Sequence, residues 1–417
     1  MRVDATAFKR AVERCASIIE KKGRLPILRH ILMVIEPGRL TMTATNLDDW
    51  FSIQIPCQSD VTLTLALDAA TLLALVKQAK SGEVTLTYAP ETQKCTAALG
   101  DVSVSVPVAD PEEFPKIPAF SPERHGVDVT LGDQKQCFRL LKDLTPFCCR
   151  PDENRTYSGV LTIAQNDGIH LVSTDIHRLN VAIMSSGSVP APFVMSRSSC
   201  DRLVKIFGDV PIEAFRILGE PPNESEKEEK PFTPSHAIIS GESQWLMTRL
   251  LVNDFPQYQH VINLSRINGP HIKVDRKQFM QKLKSFIDIL KNEKYVATTL
   301  EYIEGTLYVT VRGDDENQTM ETELSATPVN LRDDESCLTA VNGRYFLQAL
   351  KSFSQEKVRL SIEDGLRPIY LMEEDENGRR YNLTMPFRVE LKSRRPQPEP
   401  QPEEQQQELA SEMAVAA

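Results

Sequence analysis

A chain of 417 residues exceeds what one compact core accommodates and implies two to four domains. Its composition, 41% hydrophobic and 25% charged, excludes a fibrous or wholly disordered class, and no apolar run reaches the length of a membrane-spanning helix. The net charge of -10, from 48 basic against 58 acidic residues, argues at first against nucleic acid as a partner.

Asp4 to Ile19 places Phe8, Val12, Cys15 and Ile19 on one apolar helical stripe, which predicts a helix. In Leu25-Pro26-Ile27-Leu28, Pro26 is expected to start extended chain. Ile31 to Glu36 and Leu40 to Thr45 alternate around Pro37-Gly38-Arg39 and read as a hairpin, and Phe51 to Pro56 and Val61 to Leu65 continue as strands. Leu67 to Lys80, capped by Asp68 and stopped by Gly82, reads as a second helix. Strands at Val84 to Tyr88, Cys95 to Leu99 and Val102 to Val106 lead to Glu113-Phe114-Pro115-Lys116.

That order then recurs. Helices at Gln134 to Phe147 and Ser196 to Phe207 flank a hairpin turning at Asp167-Gly168, and helices at Asp275 to Leu290 and Asn342 to Phe353 flank one turning at Glu304-Gly305. Asp254-Phe255-Pro256-Gln257 answers the segment that closes the first copy. The pattern predicts an α+β chain of three similar domains, each with two helices packed on antiparallel sheet, spanning 1–126, 127–263 and 264–392. An acidic loop insertion is expected at 220–234, and a Pro/Gln/Glu-rich disordered tail at 393–417.

All six helical segments carry more lysine and arginine than aspartate and glutamate, although the whole chain is acidic. Such sorting suits a phosphate backbone contacted without regard to base sequence. The eight cysteines show no metal-ligand spacing, so reduced thiols, no metal and no cofactor are expected. The N-terminus, Met1-Arg2-Val3-Asp4, lacks the apolar core of a signal peptide, and a cytoplasmic location is the expectation.

Two short stretches stand out at expected strand ends: Thr174-Asp175-Ile176-His177-Arg178-Leu179, at the end of an alternating segment, His170 to Ala182, and Met385-Pro386-Phe387-Arg388, after another, Tyr381 to Thr384. With their order, their separation and the threefold repeat, they resemble signature segments of the bacterial beta sliding clamp, the ring that tethers replicative DNA polymerase to its template. The resemblance covers essentially residues 1 to 392. It implies a head-to-tail homodimeric ring, half of it built by each chain, whose inner wall of helices surrounds double-stranded DNA. It also implies a pocket that receives short peptides from polymerases, clamp loaders and repair proteins.

By the same resemblance, Lys21, Lys22, Arg24, Arg155, Tyr157 and Arg197 are expected to face DNA. The pocket is expected to use Thr174, His177, Arg178 and Leu179; Pro256 and Val261; Asn342 and Tyr345; and Met385, Pro386, Phe387 and Arg388. Leu179, Val261, Met385 and Phe387 would accept apolar anchors, and His177, Arg178 and Asn342 would bond the peptide backbone. His260 stands where family members usually carry a basic residue. Ile289 and Leu290 resemble the apolar pair at the dimer interface.

No phosphate loop, nucleophile elbow or zinc-protease motif occurs, and no catalytic residue is assigned. Asp175 and His177, placed on one strand and pointing the same way, would be the pair for a hydrolase reading. A clamp paralogue that acts as a peptide-binding adaptor or inhibitor without encircling DNA is the alternative to a processivity clamp.

Overall fold

A computed structural model describes the chain apart from residues 21–24, 78, 80, 119–125, 221–231, 253–254, 263–268, 314–317, 332–336, 362–366, 376–377, 390, 392 and 395–417. Six helices lie among the described residues: α1 (Ala5–Ile18), α2 (Ala69–Lys77), α3 (Gln134–Leu144), α4 (Arg197–Phe207), α5 (Arg276–Ile289) and α6 (Gly343–Ser352). None is long and apolar enough to cross a membrane.

Each helix starts where a short polar side chain accepts one of its unpaired backbone N–H groups. Asp4, Asp133 and Asp275 cap α1, α3 and α5, accepting from Ala7, Lys135 and Gln278 at 2.8, 2.8 and 2.6 Å. Asp68, Ser196 and Asn342 cap α2, α4 and α6, accepting from Thr71, Ser199 and Arg344 at 2.7, 3.1 and 3.0 Å. The capping positions therefore recur in the same threefold rhythm as the hairpins.

The first and third hairpins turn at Pro37-Gly38 and Glu304-Gly305, whereas the second turns one residue earlier than expected, at Asn166-Asp167, because Gly168 already pairs with Gln165 as the first residue of the next strand. Gly38 and Gly168 have φ of +81° and +136°, and the third turn carries both Glu304 and Gly305 at positive φ. A two-residue hairpin of that last kind needs left-handed backbone at both central positions.

The chain divides into two compact units: Met1–Leu264 with Lys351–Phe353 and Met372–Leu383, and Ser265–Leu350 with Ser354–Leu371 and the chain from Thr384. The first two repeats fall into one unit because strand Asp49–Pro56 pairs antiparallel with Gln244–Arg249, with Leu246 opposite Phe51 and Met247 opposite Trp50. A single nine-stranded sheet thus runs through both repeats, and one apolar core extends from Val3 to Leu250. Burial on that scale is what fuses the two. A separate cluster of Ile27, Leu28, Trp50, Ala66, Phe114 and Met247 seals the other face.

Polar groups lock the same seam. Arg14 on α1 donates to Asp209 at 2.5 Å and to Gln244 at 2.8 Å, and Arg202 on α4 is bonded to the buried carboxylate of Asp49, which also accepts from Ser199 at 3.0 Å. In the second unit, α5 and α6 meet through Phe279 and Phe346, ring centroids 5.4 Å apart, over a sheet that includes Ala297–Ile303, Thr306–Arg312 and Thr319–Val329.

Two local expectations are corrected. Pro26 does not begin extended chain; it opens a single 3-10 turn, Pro26–Arg29, because proline's fixed φ suits the first residue of a helical turn as well as a strand. The strand expected from Val61 begins instead at Leu63, where pairing with Ile31–Ile35 starts, and Val61 is exposed.

Candidate peptide site and nucleic-acid surface

Thr174-Asp175-Ile176-His177-Arg178 is a turn joining strands Gly168–Thr174 and Arg178–Met184. The Thr174 hydroxyl donates to the Arg178 carbonyl at 2.7 Å and accepts from the Ile176 N–H at 3.1 Å. Asp175 accepts from the Arg178 N–H at 2.8 Å and, through its other oxygen, from the Arg178 guanidinium at 2.9 and 2.6 Å. The guanidinium, itself buried, lies 4.5 Å over the Phe147 ring.

Asp175 and His177 consequently do not alternate along a strand, as the hydrolase reading required. Ile176 adopts φ of +75° between them, and the Asp175 carboxylate is committed to Arg178. His177 is exposed, whereas Arg178 serves the turn from below. Thr174 and Leu179 are buried at the two strand ends.

The Pro256 to Val261 wall belongs to the same unit. Its one helical turn, Tyr258–His260, is pinned by the Tyr258 hydroxyl donating to Nδ1 of buried His170 at 2.8 Å. Nε2 of His170 donates in turn to Asp167 at 2.7 Å, and Asp167 accepts from Arg379 at 2.8 Å. Burial, followed by the nearby Asp167 charge, pushes the Tyr258 phenol up to about 12. Val261 is left 49% exposed beside this anchor, and His260 bonds to Gln257 at 2.7 Å.

In the second unit, Met385 is 46% exposed and Arg388 is also exposed. The Phe387 N–H donates to the Ala340 carbonyl at 2.7 Å, and its ring lies 6.0 Å from that of Tyr295. That backbone bond fixes which way Met385-Pro386-Phe387 leaves its strand. Asn342 spends its side-chain oxygen on the α6 cap, accepting from Arg344 and, at 3.4 Å, from Tyr345. Tyr345 itself is half-buried.

Of the residues expected to face DNA, Arg155 and Arg197 are exposed and close in the chain path. Arg197, the first residue of α4, donates its N–H to the Ser158 carbonyl at 2.9 Å, while Ser158 bonds back to Arg155. Tyr157, between them, meets Phe255 edge-on at 6.4 Å. Lys21, Lys22 and Arg24 lie outside the described residues, as do residues 221–231 of the acidic insertion and the tail beyond Arg394.

The helix charge becomes more selective in three dimensions. Arg14, Arg202 and Arg276 are bonded internally, Arg276 to the carbonyls of Gln355, Leu350 and Ser354. What stays exposed on the helices is still basic: Arg10, Lys77, Lys135, Arg139, Lys142, Arg197, Lys205, Lys277, Lys284 and Lys351, against Asp201 and Asp288. At the end of α5, Ile289 is 66% exposed but Leu290 only 1%, so Ile289 alone of that pair presents surface. Arg344 holds the segment by donating to the carbonyls of Leu290, Lys291 and Glu293.

Sequence reasoning missed Tyr258, His170 and Asp167. The signal was present as a buried-period histidine in a strand and a tyrosine two residues beyond Pro256, but nothing in one sequence pairs them.

Residues 1–118 match the N-terminal domain of the DNA polymerase III beta subunit and residues 267–388 match its C-terminal domain, in the order and at the ends where that subunit has them. The chain belongs to the beta sliding clamp family. It is 24% identical to the beta sliding clamp of Caulobacter vibrioides over 397 residues, spanning 93% of this chain and 99% of the relative, and 23% identical over 404 residues to that of Rickettsia felis, with the same coverage. Among solved clamp structures, one from C. crescentus with PEG bound to a putative beta-motif tethering region superposes with a TM-score of 0.79 at 20% identity, covering 93% of this chain and 98% of the other. The DNA polymerase III beta subunit of Thermotoga maritima gives 0.78 at 17% identity, covering 93% and 99%. The clamp fold therefore extends over 93% of the chain.

Proposed function

We propose that this chain is a DNA sliding clamp: a non-enzymatic, cytoplasmic processivity factor that closes head to tail with a second copy around duplex DNA and tethers replicative polymerase, clamp loader and repair proteins through short peptides. Its three domains are 1–126, 127–263 and 264–392, followed by the tail from 393. The observation that carries the reading is the basic solvent face of six helices in an acidic chain of this family. Lysine and arginine on helix surfaces attract phosphate without reading bases, and weak contacts suffice where closure around the duplex holds the partner.

Arg155, Tyr157 and Arg197, with Lys21, Lys22 and Arg24, are the proposed duplex contacts. The proposed peptide pocket takes its apolar anchors on Leu179, Val261, Met385 and Phe387, with Thr174, Pro256, Tyr345 and Pro386 shaping it. His177, Asn342 and Arg388 offer polar groups, and Arg178 positions the turn. Ile289 contributes to the contact between copies, supported from behind by Leu290.

Retention on circular against linearised plasmid, after loading by a clamp loader, tests the reading. Release from linear but not circular DNA is expected. Loss from both leaves only an adaptor that binds peptides without encircling DNA. Replacing Met385 and Phe387 by alanine is expected to abolish peptide binding while dimerisation survives.

A further inference from the structure

The register of the third-repeat sheet sorts its side chains onto two faces. Leu300, Tyr302, Leu307, Val309 and Leu324 are buried on one, while Glu301, opposite Tyr308, and Thr310, opposite Glu321, share the other. Glu321 and Glu323 on that second face are exposed, as surface carboxylates ordinarily are, but Glu301 is only 3% exposed. A carboxylate leaves water where hydrogen-bond donors replace it.

The donors come from the chain beyond Met385-Pro386-Phe387-Arg388. The Ser393 hydroxyl donates to Glu301 Oε1 at 2.6 Å, and the Arg394 N–H donates to Oε1 and Oε2 at 3.0 and 3.2 Å. The Arg394 guanidinium continues across the same face: it lies 4.9 Å over the Tyr308 ring, donates to the Thr310 hydroxyl at 3.4 Å and pairs with Glu321 at 2.7 Å. That last bond holds the Glu321 carboxyl below its ordinary value.

Phe387 is tied through Ala340 to strand Cys337–Asn342, which pairs with Ala297–Ile303; Thr306–Arg312 and Thr319–Val329 follow in turn. The chain from Phe387 to Arg394 therefore bonds to four successive strands, at Ala340, Glu301, Thr310 and Glu321. It is a strap across the sheet, held at one end by a backbone bond and at the other by a buried carboxylate. A short segment fixed at both ends has little conformational freedom left to lose.

We infer that Glu301 and Arg394 are positioning residues of the peptide site, latching the strap so that Met385 and Phe387 are held in place before a peptide arrives. The inference rests on the peptide-site reading above. Both residues act through the backbone of the strap rather than by meeting the peptide. A wall ordered in advance need not be ordered on binding, and affinity gains accordingly.

Binding of a fluorescein-labelled Gln-Leu-Ser-Leu-Phe peptide to the full chain is followed by anisotropy, with amide hydrogen exchange at Phe387 and melting temperature measured in parallel. Glu301→Ala and Arg394→Pro, the second removing the N–H and the guanidinium together, are each expected to weaken the peptide about three- to tenfold and to speed exchange at Phe387. The double variant is expected to lose no more than either single one, because both break one latch. Glu301→Gln, which keeps an oxygen for Ser393 and Arg394, is expected to bind within about twofold of wild type. Should Glu301→Ala unfold, Arg394→Pro carries the same test from an exposed position. Where Met385→Ala has lost the peptide, wild-type affinity in Arg394→Pro overturns the inference, and so does a double variant whose losses add. Equal binding by wild type and Met385→Ala marks failure of the peptide-site reading itself, and the inference falls with it.

Discussion

The Tyr258 hydroxyl and Nδ1 of His170 lie 2.8 Å apart, both residues buried, and this bond ties the segment carrying Pro256 and Val261 to a strand of the second repeat. His170→Phe keeps the ring volume but takes one of its partners from the buried tyrosine hydroxyl, leaving Gln165. A loss of about 1–3 kcal/mol is expected by urea unfolding, together with weaker peptide binding as the Val261 wall loosens. Tyr258→Phe removes the hydroxyl itself and is expected to cost less, about 0.5–1.5 kcal/mol. Equal stability of wild type and His170→Phe would show that the bond anchors nothing.

The same phenol makes stability fall in alkali. Burial, and then the Asp167 charge, push Tyr258 up to about 12 from its ordinary value of 10.0. The folded state therefore holds the proton where the unfolded chain has already released it, so the stabilisation is complete below the unfolded value and is lost as pH rises toward the folded one. Melting temperatures of wild type and Tyr258→Phe, compared from about pH 9 to about pH 11, are expected to move against wild type as pH rises. A constant difference across that range counts against the assignment.

Much of this arrangement was legible in residues 1 to 392, and the reasons are local. Asp4, Asp68 and Asp275 announce helix starts because capping chemistry is written in the residue type, and Gly38 and Gly305 announce hairpins because few side chains tolerate left-handed backbone, whereas Gly168 misplaces its turn by one residue. What was not legible depends on long-range pairing. Strand Asp49–Pro56 gives no sign that it will pair with Gln244–Arg249, and Arg178 looks like a ligand-facing cation until Asp175 and Phe147 are seen to enclose it. Leu290 enters with Ile289 only through the resemblance to an interface pair, and nothing in the sequence separates the exposed member from the buried one.

The Arg178 and Asp175 pair is expected to behave as a buried ion pair, with exposures of 4% and 14%. Asp175→Asn removes a charge partner of a buried guanidinium in a low-dielectric setting, at a cost on the order of 3 kcal/mol. Arg178→Lys is expected to be nearly as harmful, since an ammonium can replace neither both guanidinium bonds nor the stack on Phe147. Urea unfolding checks both, and two variants within about 0.5 kcal/mol of wild type would mean the pair is dispensable.

Cysteine chemistry gives an independent reading of core integrity. Seven of the eight thiols are buried, and Cys337 is half-buried. Burial pushes Cys137 and Cys148 up to about 12 and Cys95 up to about 11, so the reactive thiolate is scarce near neutrality. Native protein is expected to yield no more than about two fast-reacting thiols to Ellman's reagent, and all eight once unfolded in guanidinium. Rapid modification of most thiols in the native state would contradict the packing described.

The helix arginines separate into two chemical roles, and salt dependence distinguishes them. Arg197 is exposed at the start of α4 and Arg155 lies on the adjoining loop, whereas Arg276 is buried among the carbonyls of Gln355, Leu350 and Ser354. A cation that neutralises a phosphate releases counterions, so its removal lowers the slope of log affinity against log salt by about 0.9. Arg197→Gln and Arg155→Gln are each expected to reduce the slope by about that amount for a random-sequence duplex, with melting temperature unchanged and no dependence on base composition. Arg276→Gln is expected to do the reverse, lowering the melting temperature because several carbonyls lose their donor while the slope stays put. A salt slope that ignores Arg197 and Arg155 but follows Arg276 would remove the duplex from this face of the molecule.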